Sequence, residues 1–378
     1  VDLRDFAQMD AIGEQIGKAF AADEFELKAE ALGRIVDTLT VPVPAKAFAD
    51  VCTEQAERAA EKANYDAAVK LVLLAGKAYR QVALTRSATA VDAHVAYLKR
   101  AKARAAAAKD ALEPLRVNPD DPDANLTVGA FRCAFQGKWD DGLKHLEKGS
   151  DPVLRSAAAK DLAAAPDSEL DIGDAWTAAA AAATGPDDRA AYVTRARYWY
   201  TKAAAGPPMT AAKADARLVV KSGTLDLKPG LIQEFVGVNA KGVKTTGIKV
   251  SLAPVLDLNG ADLDFDRGNG ATVRWTGFLF PPRPGRYKLI LSSTDPAQMK
   301  VDGALVIDIP RDPNEREVAR SVSLVLTDKP VPIEVGWNGG SGRRQRIRLT
   351  WVPLGGSEEL VPVEHLLHDK RADALITK

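Results

Sequence analysis

At Ser222-Gly223 the chain changes its hydrophobic period. Before that point Ala, Leu, Lys, Glu and Arg dominate, and Leu27, Ala31, Ile35 and Leu39 recur at helical spacing. After it, short apolar–polar alternations are separated by Gly, Pro, Asn and Asp. In RIRLTW, starting at Arg346, the apolar Ile347, Leu349 and Trp351 alternate with Arg346, Arg348 and Thr350. A 3.6-residue period buries a stripe on a helix, whereas a period of two buries one face of a strand, so neither half can adopt the other's structure. The chain is therefore read as an α+β protein of two domains: an α-helical domain over residues 1–222 and an antiparallel β-sandwich over residues 223–378 with a C-terminal tail. A length of 378 residues agrees with two cores.

The first half favours helix even where packing is loose, because Ala has the best helix propensity. Helices are expected over Ala45 to Ala63, Tyr65 to Val82 and Ala88 to Leu115, with a break at Val41 to Pro44 and a linker at Arg116 to Asn125. Further on, two antiparallel helices are expected to meet at Gly185-Pro186, with a third after Gly206-Pro207-Pro208. Trp176, Tyr198, Trp199 and Tyr200 form an aromatic group that is assigned to core packing, the commonest use of such rings. Two joints are alike. KANYDAAVKL from Lys62 and QGKWDDGLKHL from Gln136 share a small-polar turn, an aromatic, an acid and an apolar helix. These joints resemble the turn of tetratricopeptide-like helical repeats, which stack into extended scaffolds and bind other proteins.

In the second half, strands are expected over Leu231 to Val238, Leu263 to Asp266, Ala271 to Phe280, Gly285 to Ser293, Gln298 to Val301, Ala304 to Asp308, Val318 to Val325, Val331 to Trp337 and Arg346 to Pro353. Along them GLIQEF from Gly230, VRWTGFL from Val273, PGRY from Pro284, STD from Ser293, KVDG from Lys300, PIEV from Pro332 and IRLTW from Ile347 occur in order. In sequence, these pieces resemble the protective-antigen-type (PA-fourteen) domain over about Leu227 to Leu367. The resemblance implies a β-sandwich, secreted or surface-exposed, that binds carbohydrate through calcium. In sugar-binding members of that family two adjacent aspartates joined by a cis peptide clamp the metal, since calcium needs several hard oxygen ligands. The matching dipeptide here is Asp295-Pro296. One carboxylate is kept and the other is lost. A cis bond costs far less before proline than before aspartate, so the expectation is a conserved turn with weak or absent calcium binding.

Other candidates are fewer. Asp262, Asp264 and Asp266 have a calcium-loop spacing, but Leu263 and Phe265 between them fit an alternating strand with a solvated acidic face. In WNGGSGRRQR from Trp337, the indole is placed either to stack a sugar, with Asn338 and Arg343 donating hydrogen bonds, or to pack inward below a solvated hairpin; the hairpin is favoured. Asp302, in Val-Asp-Gly, is either a ligand group or the cap of a tight turn. His365 and His368 are assigned to a surface helix end, because no further ligands support a zinc site. Cys52 and Cys133 permit a disulfide but behave equally well as buried free thiols.

Lys+Arg 51 against Asp+Glu 51 gives no electrostatic reason to expect nucleic acid as a partner. No apolar run reaches the ~20 residues that span a bilayer. The sequence starts at Val1 with no charged-then-apolar leader, read as either a signal peptide already removed or a trimmed chain. No nucleophile elbow, phosphate-binding glycine loop or His-Glu-x-x-His is present. The expected function is thus non-catalytic: recognition of a glycan or cell-envelope component by the sandwich, in a secreted, periplasmic or cell-surface protein. The ligand residues are Asp295, Asp302, Trp337, Asn338 and Arg343, with Asp295 the one candidate for calcium. The alternative is a structural component of an envelope or extracellular assembly, in which the helices contact other proteins.

Overall fold

A computed structural model of the chain describes residues 23–222, 224–238, 244–251, 271–314, 316–339, 346–353 and 356–376, together with Gln15. The expected strand at Leu263 to Asp266, the aspartates 262, 264 and 266, and Arg343 lie outside the described residues.

The first part is helical: α1 (Glu24–Ile35), α2 (Pro42–Glu61), α3 (Tyr65–Gln81), α4 (Thr85–Asp110), α5 (Leu112–Val117), α6 (Pro122–Ala134), α7 (Trp139–Leu146), α8 (Pro152–Ala163), α9 (Glu169–Ala182), α10 (Pro186–Ala204) and α11 (Pro208–Arg217). Consecutive helices pack as hairpins, so most of the burial is local. Prolines start helices here instead of breaking them. Pro42, Pro122, Pro152, Pro186 and Pro208 open α2, α6, α8, α10 and α11. At the first helical position the missing N–H is no loss and the fixed φ is already helical. The expected break at Val41 to Pro44 is therefore a start, and the long helix expected to Leu115 divides into α4 and α5.

Three joints share one backbone device. Ala63, Ala83 and Gly137 have φ of 59°, 58° and 68°, and each stands two residues before a helix start. The left-handed residue turns the chain sharply and lets Asn64 N–H bond Ala59 O and Leu84 N–H bond Tyr79 O, both at 2.9 Å or less. Tyr65 and Trp139 follow two of these joints, and the Trp139 ring meets Trp176 edge-on at 5.3 Å. Trp176 and Trp199 both donate to the buried carboxylate of Asp161, which Arg195 also holds. The aromatic group is core. Cys52 and Cys133 are free and buried in separate apolar clusters.

Helix gives way to sheet between Arg217 and Val220. One sheet runs β1 (Val220–Ser222), β2 (Leu225–Pro229), β13 (Leu366–Asp369), β5 (Ala271–Leu279), β10 (Val331–Gly339), β7 (Ala297–Val301) and β8 (Ala304–Ile309), with β3 (Leu231–Val238) paired to β5 and to β4 (Lys244–Ser251). The second runs β12 (Glu359–Leu360), β11 (Ile347–Val352), β6 (Gly285–Ser293) and β9 (Val318–Leu326). The pairings are antiparallel, and the two inner faces close over Val273, Trp275, Met299, Val335 and Trp337 on one side and Tyr287, Leu289, Leu291, Leu349 and Trp351 on the other. This is the α+β architecture expected. The histidines of the tail are a correction. His365 and His368 are 7% and 2% exposed, not on a surface helix end, and they bond the backbone carbonyls of Phe280 and Gly230. Their spacing looks helical, but β13 adds to the sheet beside β5 and draws both rings inward.

The outer face of the second sheet lies on the helices. α4 packs against β6 and β9, and Val325 of β9 joins the helical core cluster. The Pro-Arg-Pro-Gly-Arg turn supplies the polar contacts. Arg283 donates to Phe135 O at 2.7 Å, and Arg286 reaches Glu57 at 3.1 Å and Glu54 at 3.4 Å. Arg197 of α10 donates to Glu364 O and lies over the Phe280 ring.

Candidate ligand groove on the sandwich

The tip between β6 and β7 is held by its own residues. Ser293 Oγ accepts from the Asp295 N–H at 3.2 Å, Thr294 Oγ1 donates to Asp295 Oδ2 at 3.1 Å, and Thr294 also bonds both backbone groups of Arg346. Pro296 O accepts from the Asn338 N–H at 2.9 Å. The tip thus joins the last residues of β10. The described residues contain no cis peptide bond, so the turn expected before Pro296 is not kept in cis form. The hydroxyls of Ser293 and Thr294 bond the tip in its trans form. For calcium the donor set does not fit. The tip brings the single carboxylate of Asp295, against the roughly six to eight oxygens calcium takes. Pro296 has a ring in place of a second carboxylate, and its carbonyl is already bonded to Asn338. Among the described residues no three His, Cys, Asp or Glu converge as a metal site.

The residues singled out from sequence separate into three environments. Asn338 is exposed beside the tip, where its side chain accepts from Thr272 Oγ1 at 3.2 Å. Trp337 is fully buried: its indole lies in the sandwich core, with no exposed face to offer a sugar ring. Gly339 lies against that indole so closely that a Cβ there would overlap it. Asp302 is at the far end of β7, about 20 Å from Asp295 by strand rise. It sits in the turn to β8 with φ 53°, bonds Pro332 O through its N–H, and forms an ion pair with Arg86 of α4. Asp295 and Asn338 are brought together; Trp337 and Asp302 are not part of the same surface.

What the alternation places beside Asn338 is a groove of about 340 Å³ on the outer face of the first sheet. Register sets it. Asn338 faces Thr272, Gly336 faces Arg274 and Gln298, and Gln298 faces Asp308 across β7 and β8. Gly336 has no side chain, and a Cβ there would meet nothing within 4 Å, so it forms a gap ringed by Arg274, Gln298 and Asn338. Gln298 donates to Asp308 at 3.1 Å, and Arg274 is paired with Glu234 of β3. Chemically the groove is neutral and rich in donors and acceptors, with the exposed Pro310 as apolar flank. Sequence reasoning missed Thr272, Arg274, Gln298, Gly336 and Asp308. The period-two pattern that buries Val273, Trp275 and Val335 also puts those residues outside, but their meeting depends on strand order.

Residues 264–365 match the family model of the PA14 domain. No curated protein matches the chain. Among solved structures, an anti-sigma factor domain-containing protein is similar at 21% identity and a TM-score of 0.32, covering 37% of this chain and 48% of that one. The match thus spans about half of that relative's length. A PA14 sugar-binding domain from an RTX adhesin aligns at 19% identity and TM-score 0.30, covering 37% of this chain and 98% of that one. The Epithelial Adhesin 9 A domain from Candida glabrata, in complex with Galb1-4GlcNAc, aligns at 13% identity and TM-score 0.28, covering 40% and 94%. Overlaps of this size assign nothing to the groove. Residues 264–365 of this chain thus resemble the PA14 domain, and their described strands lie in the sandwich.

Proposed function

We propose that this chain is a non-catalytic binding protein that recognises a glycan or other cell-envelope component through the sandwich, with the helical part as its scaffold. The observation that carries this reading is the groove around Gly336. It is a side-chain-free gap bordered by Thr272, Arg274, Gln298 and Asn338, beside the tip where the PA14 resemblance implies the sugar site. Sugars are recognised by paired donors and acceptors around a shallow depression, and the groove supplies both. The single carboxylate at Asp295 supports recognition without calcium. A secreted, periplasmic or cell-surface location follows from the same reading. Among the described residues no helix is long and apolar enough to cross a membrane.

A glycan array probed with and without calcium tests the proposal. The expected result is binding to a restricted set of glycans, unchanged by chelator and reduced at least fivefold by Gly336→Val or Asn338→Ala. Absence of binding under both conditions would remove the proposal and leave an assembly role, which native mass measurement of the full chain would then address.

A further inference from the structure

A second pocket, of about 280 Å³, lies where the sandwich meets the helices and shares no lining residue with the groove. α2 contributes Glu57, Ala60 and Glu61, α3 contributes Tyr65, and α4 contributes His94 and Tyr97. Phe135 follows α6, and Arg283 of the sandwich closes the wall. Tyr97 and Phe135 stack at 5.7 Å, so one side of the pocket is aromatic. His94 is 1% exposed, and neither of its ring nitrogens has a hydrogen-bond partner in the protein. Glu57 Oε2 accepts from Arg286, while its Oε1 is buried without a partner. Buried polar atoms are nearly always paired, and unpaired ones in a pocket wall point to a polar occupant.

We propose that this pocket binds a small, uncharged ring molecule bearing several hydroxyls, of about monosaccharide size. The volume sits just below the ~300–1,000 Å³ of ordinary small-molecule pockets, which limits the occupant to about one ring. Pockets of this kind form preferentially between domains, as this one does. The aromatic side suits the C–H face of such a ring. Charge selects against ions of either sign, because Glu57 and Glu61 share the wall with Arg283 and Lys138. Hydroxyls both donate and accept, which is what a neutral imidazole, with one donor and one acceptor nitrogen, requires. Burial, helped by the Arg283 charge, holds His94 down at about 4, so the imidazole is neutral at physiological pH. Glu57 adds an acceptor on the same wall, since its Oε1 is left without a partner while Oε2 is held by Arg286.

The test is saturation-transfer NMR and titration calorimetry on the full chain, with methyl glucoside, methyl galactoside and myo-inositol as neutral probes and lactate and ethanolamine as charged ones. At least one neutral probe should bind saturably and at least tenfold more tightly than either ion. His94→Phe and Ala60→Leu should each weaken it at least tenfold, and Asn338→Ala in the groove should leave it unchanged. Ala60 is only partly buried, so Ala60→Leu fills the pocket with the least risk to folding, and its affinity decides the matter should His94→Phe fail to fold. The proposal is overturned if no neutral probe saturates, if an ion binds more tightly, or if folded Ala60→Leu keeps full affinity. Loss of binding only in Asn338→Ala would also overturn it, while supporting the groove reading. A pocket result that holds while the glycan array fails would leave this site standing alone.

Discussion

Arg274 and Arg286 occupy equivalent polar positions on the outer faces of the two sheets, and each is paired with a glutamate. Their surroundings differ. Arg274 and Glu234 are 52% and 36% exposed, on the open groove face. Arg286 and Glu57 are each 14% exposed, because α2 and α4 cover that side of the sandwich. One outer face is left to solvent and can meet a ligand; the other is taken up by the helices. The same residue pair is therefore a surface decoration in one place and a buried joint in the other, and the difference comes from what packs over it. Water screens the first pair, whereas removing one member of the second leaves an uncompensated charge between two packed parts.

The largest expected effect tests the buried joint. Arg286→Ala should lower stability by about 3 kcal/mol in denaturant unfolding at about pH 9, where Glu57 is ionised, because Glu57 and Glu54 lose their shared cation. A double-mutant cycle with Glu57→Ala should return a coupling above about 1 kcal/mol. A loss no greater than that of a surface pair would mean that the two outer faces do not differ energetically.

The same joint should make stability depend on pH on both sides of neutrality. Burial raises Glu57 to about 8 and Asp50 to about 6, against the charges of Arg286 and Lys46. A raised folded value means stability is complete below the ordinary carboxylate range and is lost as pH rises, through about 6 for Asp50 and about 8 for Glu57. His94 and His365 are held down at about 4 by burial and by nearby Arg283 and Arg197. Their contribution is complete above the ordinary histidine value of 6.5 and is lost as pH falls toward 4, on the order of 3 kcal/mol for a fully buried ring. Thermal melts from pH 4 to 9 should show a maximum, with Glu57→Gln flattening the alkaline side and His94→Gln the acidic side. An unchanged alkaline limb in Glu57→Gln would place the titrating group outside the joint.

The contrast also shows which physics is legible in a sequence. The helical and sheet halves, and strands such as Leu231–Val238 and Gly285–Ser293, follow from local period, and the same alternation buries Trp351 as expected. β2 and β13 are not legible in the sequence, because LDLKP and LLHD are too short to show a period; β13 takes its structure from β5, and β2 from β13. For Trp337 the sequence leaves two roles open and favours the inward one, and strand order around it puts the indole in the core. The joint at Arg283 and Arg286 is not legible in the sequence. Its local sign was present in Glu54, Glu57 and Glu61 at helical spacing, but nothing local says that a proline-rich turn some 230 positions later in the chain meets them.

The smallest expected effect sharpens the open face. Arg274→Ala should change stability by no more than about 0.5 kcal/mol, since its pair with Glu234 is exposed and screened. If the groove is the ligand site, the same change should still weaken glycan binding two- to tenfold, because the guanidinium borders the gap at Gly336. A residue that matters to binding and not to folding is what a solvent-facing recognition surface predicts. Equal losses in both measurements would show that Arg274 braces the sheet as Arg286 braces the joint, and the division between a free face and a docked face would no longer hold.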